Sequence, residues 1–225
     1  MWLFIFVIKP TWSYRHINFC TTKAKTICVL LHPMLMPCYG IALYFLSQQP
    51  IISLLPKVYS TISIVGTLVL TLVIPLVLLL FLWRKGYIDS LHIDKAQQRT
   101  MPYIYTLVCY GFWTYFLHST IHMPKCIVWI AVGAIAALLA VAIINRWWKI
   151  SAHLTGIGGL LGGICSFSLC YVTLPIGLII TVLLLSLLLM YARLYLQAHT
   201  PMQVVCGYLL GIVCTFIPSL IITYA

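Results

Sequence analysis

The sequence predicts an all-α integral membrane protein, a bundle of about seven transmembrane helices. Two observations carry this. Of the 225 residues, 63% are hydrophobic and only 7% are charged, with a mean hydropathy of +1.10. A soluble domain of that size has no interior large enough to hold so much apolar surface. The apolar residues also fall into seven runs near the ~20-residue length of a bilayer crossing. They lie at roughly 27–46, 62–83, 102–118, 126–144, 154–171, 174–191 and 202–223.

Taken in order, the chain opens with an apolar stretch, Met1 to Ile8, too short to span and closed by Lys9-Pro10. No A-x-A-like cleavage site follows, so residues 1–26 are expected to form an interfacial segment ahead of one transmembrane domain, 27–225. The third run is the shortest. It is preceded by the longest connection, 84–101, which contains both acids of the chain, Asp89 and Asp94. The fifth run carries Gly158, Gly159, Gly162 and Gly163, and the seventh carries Gly207 and Gly211. These small-xxx-small faces predict close helix packing rather than a phosphate loop. Nine cysteines are scattered without a C-x-x-C pair, which fits reduced packing thiols.

Thirteen Lys and Arg against two Asp leave a formal charge of +11. The cations stand at the ends of apolar runs, so they suit anionic lipid headgroups and not nucleic acid. Following the connections, eleven fall on one side of the membrane and only Lys57 and Lys125 on the other. The positive-inside rule makes the cation-rich side cytoplasmic. With two acids, the chain lacks the carboxylates for a glycosidase dyad, a two-metal site or an acidic proton path.

Three helix starts are expected on the cation-rich side: Pro102 in a first turn, Ser151 as an N-cap, and Thr200-Pro201 as N-cap and N1. Each aims free N–H groups and a positive dipole end at that surface. Beside them stand Arg99, then Lys149 and His153, then Arg193 and His199. Arg193 and His199 are six apart, too far round for one helical face, and Thr200-Pro201 supplies the needed break. Such a set suits phosphoryl transfer. Cations hold the equatorial oxygens, one histidine attacks phosphorus, and the other protonates the leaving oxygen. No metal is required. His32, His118 and His122 are expected to be packing residues or interhelical hydrogen-bonding groups. Arg84, Lys85 and Arg146-Trp147-Trp148 are expected to be span-end anchors.

The order Arg99…Pro102, Ser151-x-His153, Arg193-x5-His199 resembles the three-part signature of type 2 phosphatidic acid phosphatases, over roughly residues 92–211. The resemblance implies a six-helix phosphatase-like core with no cofactor. It implies His199 as nucleophile, His153 as general acid, and Arg99, Arg193 and the Ser151 region as the phosphate grip. It also implies residence in a bacterial inner (cytoplasmic) membrane. The substrate implied is a lipid phosphate monoester or prenyl diphosphate met among membrane lipids.

The chain departs from the family pattern in each of its three elements. His92 stands where the family has Lys, leaving Lys95 or Lys149 to substitute. The second element reads Ile150-Ser151-Ala152-His153 instead of Pro-Ser-Gly-His, and the third opens Ala192-Arg193 instead of Ser-Arg. Gln203 occupies the place of an Asp four after the histidine. Gln203 can orient His199 but cannot balance an imidazolium charge. Other readings are a catalytically weakened relative that binds anionic headgroups, a small transporter, and a Mg²⁺-dependent prenyltransferase built on Asp89 and Asp94.

Overall fold

The computed structural model describes residues 12–47, 56–89, 100–171 and 175–224, and every regular element among them is helical. Helix α1 (Trp12–Leu30) stops at His32-Pro33. Pro33 has no N–H to continue the ladder and opens a 3-10 turn, Pro33–Leu35. His32 caps that turn, its Nδ1 accepting from the Met34 N–H at 3.3 Å. Helix α2 (Met36–Leu46) then completes the first crossing.

Helices α3 (Lys57–Leu68) and α4 (Ile74–Arg84) form one rod joined by a π turn, Val69–Val73, just ahead of Pro75. A proline cannot donate to the preceding turn, and the wider turn absorbs the mismatch. The remaining helices are α5 (Thr100–Ser119), α6 (Lys125–Ile144), α7 (Ala152–Cys170), α8 (Ile176–Tyr195) and α9 (Pro201–Tyr224).

Among the described residues, six stretches are long and apolar enough to cross a membrane: Thr21–Leu46, Lys57–Arg84, Lys125–Ile144, Ala152–Cys170, Ile176–Tyr195 and Pro201–Ser219. The first begins before residue 26, inside α1. Lys23 and Lys25 interrupt the apolar run in sequence, but long Lys stems lie along apolar surface while their charges reach water. Helix α5 is not among the six. Its four Tyr, three Thr and Pro102 dilute its hydropathy. Even so, α5 runs the full length of the bundle. Near its start, Tyr103 Oη accepts from Asn145 Nδ2 at 3.2 Å, at the C-terminal end of α6. Beyond its end, Ile121 and Met123 pack with Leu117, Ile41, Tyr44 and Val128.

Helix α7 is the centre. Fifty-six per cent of its spanning stretch is buried, against 28% at most in the other five spans. Its longest contact is with α9, and glycine permits the approach. A Cβ on Gly158 would strike the Tyr208 carbonyl, and one on Gly211 would strike the Thr155 carbonyl. Gly133 of α6 meets α9 in the same way at Cys214. The glycine cluster is therefore a packing device. Leu154 and Ile157 of α7, Leu189 of α8 and Val204 of α9 are buried at its flanks.

Candidate active site

The chemistry gathers where α7 begins, α8 ends and α9 begins. Between α8 and α9 the chain reverses over residues 196–200, with Gln197 at φ 52. Gln197 N donates to the Leu194 carbonyl at 2.9 Å and Ala198 N to the Arg193 carbonyl at 3.1 Å. That turn brings Arg193, in the last turn of α8, and His199, just ahead of α9, onto one cavity with His153 from the first turn of α7. The cavity is about 1360 Å³ and is also lined by Lys149, Lys25 and His32, with Pro102 and Tyr103 from the start of α5. Arg99, Lys95 and His92 lie outside the described residues.

His199 is held by its Nδ1, which lies 3.1 Å from the Lys149 carbonyl and 3.3 Å from Gln203 Oε1. A backbone carbonyl only accepts, so Nδ1 carries the hydrogen and Nε2 keeps its lone pair. Gln203 is itself fixed. Its Oε1 accepts from the Thr200 N–H at 3.1 Å, and its own N–H donates to Thr200 Oγ1 at 3.5 Å. This reciprocal pair is a capping box. The Thr200-x-x-Gln203 spacing signals it in the sequence, and it explains how a neutral amide keeps the orienting position. Burial first, then the charge of Arg193, pushes the His199 pKa down to about 4, while the bonds to Lys149 and Gln203 oppose that fall. The ring is therefore neutral at pH 7.

Arg193 is half-buried, and among the described residues its Nη1 reaches only the Cys28 thiol at 3.8 Å. Its Nε is buried without a partner among those residues. A buried, unpaired guanidinium N–H is costly in isolation and is satisfied by an oxyanion. Lys149 is exposed at the cavity edge. The side chains facing the cavity can thus hold an anion, attack it and exchange a proton with it.

Ser151 stands apart from the cavity lining. It is the N-cap residue of α7 and fully buried, but its Oγ makes no cap bond and has no partner among the described residues. Its backbone acts instead. The Ser151 N–H donates to the Gln203 carbonyl at 3.2 Å, and its carbonyl accepts from Thr155 N and Oγ1, each at 3.0 Å. Ser151 thereby ties the start of α7 to the start of α9.

Sequence reasoning treated His32, His118 and His122 alike, and the structure separates them. His118 and His122 are exposed at the far end of α5 rather than packed. His32 lines the cavity, its ring meeting that of His153 edge-on at 5.2 Å between centroids. Nothing in the local spacing of His32 signals that contact, because it is made across the bundle. Among the described residues, no group of three His, Cys, Asp or Glu comes together to hold a metal. Asp94 lies outside them.

No curated protein and no solved structure gives a match to the chain. The family model of the PAP2 superfamily matches residues 126–225. That region runs from the first turn of α6 through α9 and includes Ser151-x-His153 and Arg193-x5-His199, but not Arg99 or Pro102. The match thus covers the helices that build the site, and over them the chain is similar to the PAP2 superfamily.

Proposed function

We propose that the protein is a metal-independent lipid phosphate phosphatase, hydrolysing a lipid phosphate monoester or diphosphate through a phosphohistidine on His199. The match to the superfamily model supports a phosphatase-type function in general. The observation that carries the finer reading is the state of His199, with Nδ1–H tied to the Lys149 carbonyl and Gln203 and Nε2 left free in a cavity shared with Arg193 and His153.

In this mechanism Arg193, with Lys149 at the edge, takes the equatorial oxygens. The Nε2 lone pair forms the N–P bond as the P–O bond to the lipid breaks, and His153 gives its proton to the departing oxygen. Water then attacks phosphorus, yields its proton to His153 and releases phosphate, restoring Nε2. Arg99 and Lys95 are proposed as further phosphate contacts from the connection before α5. Ser151 is proposed to serve the grip through its backbone. The apolar continuation of the cavity past Leu160 and Ile164 suits a hydrocarbon chain.

The neutral Gln203 favours a second reading, a relative that binds anionic headgroups with little turnover, because the imidazolium formed on phosphorylation has no carboxylate beside it. Purified protein in detergent is expected to release inorganic phosphate from a panel of lipid phosphates with EDTA present. His199→Ala is expected to lower that rate by about 10³ or more, as loss of a nucleophile does. No release across the panel leaves the binding reading, and an unchanged rate in His199→Ala removes His199 from the chemistry.

A further inference from the structure

The first crossing is broken at one place, and the break faces the site. Pro33 ends the α1 ladder, and the 3-10 turn that follows packs against α7 at Gly156, where an added Cβ would lie 3.0 Å from Pro33 Cα. Gly156 is one turn beyond His153. The close approach swings His32 onto His153, with the two rings at 82° and 5.2 Å between centroids. His32 therefore reaches the cavity that also holds Arg193 and His199.

The His32 ring has defined polarity. Its Nδ1 accepts the Met34 N–H at 3.3 Å. In the neutral ring the hydrogen then belongs to Nε2, which is a donor. We propose that His32 is a further substrate-binding residue, its Nε2–H donating to a non-bridging phosphoryl oxygen beside Arg193. This rests on the reading of the cavity as a phosphate site. His32 thus brings a donor from the N-terminal crossing, outside residues 126–225, to a site otherwise built from α7, α8 and α9.

Two variants separate donation from packing. Asn at position 32 keeps an oxygen to cap Met34 but lacks the reach of Nε2; Gln restores the reach. The full chain in detergent is titrated with inorganic phosphate, read by thermal stabilisation, and assayed for turnover of a lipid phosphate. His32→Asn is expected to weaken phosphate binding and raise KM by tenfold or more, with kcat changed less, and His32→Gln to recover most of both. Unchanged phosphate binding in His32→Asn, or an equal loss in His32→Gln, overturns the proposal. A wild type that binds phosphate in a His32-dependent way without turnover defeats the phosphatase reading and leaves this one standing. A wild type that neither binds phosphate nor turns over a lipid phosphate defeats both.

Discussion

At the scale of single residues, the site depends on how a neutral glutamine does part of a carboxylate's work. Gln203 orients His199 through Oε1 and is locked by Thr200, but it adds no charge. With a folded pKa of about 4, wild-type kcat/KM is expected to hold above that value and fall as pH drops through it, because the protonated ring has no lone pair. Folding stability follows the same direction. The pKa is depressed from 6.5, so the unfolded chain takes up the proton first and stability declines as pH falls from about 6.5 toward 4. Gln203→Asp places an opposite charge against the imidazole, which raises such a pKa by about 1–3 units. The acid limb of the pH profile is expected to move up accordingly. The turnover rate is expected to rise by tenfold or more, in the sense of the ~10⁴ effect at the orienting Asp of the serine protease triad. A pH–rate profile of the two proteins checks both, and an unmoved limb means that His199 does not govern it. His153, Arg193 and His199 were legible in sequence because each stands at a helix end with a cation nearby. His32 was not, since its partner is 121 positions away (153 − 32) and the two meet only through tertiary packing.

At the scale of elements, the α7–α9 contact sets the site, since Ser151, Thr155, Gly207 and Gly211 join the helices directly below the turn that carries His199. Gly211→Val drives a side chain into the Thr155 carbonyl and is expected to cost about 1–3 kcal/mol or more, as overpacking does. Gly111 in α5 has nothing within 4 Å of an added Cβ. Gly111→Ala is therefore expected to be neutral or stabilising by up to about 1 kcal/mol through helix propensity. Melting curves in detergent compare the two. Equal effects would mean that the α7–α9 approach is looser than its geometry indicates. The helices themselves were legible from hydropathy and the close pairing from glycine spacing. The π turn at Val69–Val73 was not, because the only mark it leaves in sequence is Pro75, which also fits a helix start.

At the scale of the molecule, seven rods of the described residues traverse the bundle, and the least apolar of them decides the topology. If α5 crosses, Tyr87 and Trp147 lie on one face and His122 on the other. All three are exposed, Tyr87 at 69% and Trp147 at 79%. Single cysteines placed there in a cysteine-free chain are expected to react with an impermeant maleimide from opposite sides. Labelling of positions 87 and 122 from the same side, with 147 from the other, would mean that α5 does not cross. Composition alone undercounts such a helix, because tyrosine is scored as polar although its ring packs like a hydrocarbon. The π turn has a consequence that reaches the active end. Its Thr71 Oγ1, which donates to the Thr67 carbonyl at 2.8 Å, also lies 3.4 Å from the Met34 carbonyl and 3.6 Å from Cys38 Sγ, so the widened turn of one rod braces the interrupted turn of another. A π turn holds one residue more than the regular helix around it. Deleting a single residue from 69–73 would make that rod regular and remove the widened turn that carries Thr71 toward Met34. Thr71 would move off Met34, and the brace behind His32 would be lost. The length of a lipid-facing helix, and not merely its side chains, is thus part of what keeps the cavity end in register.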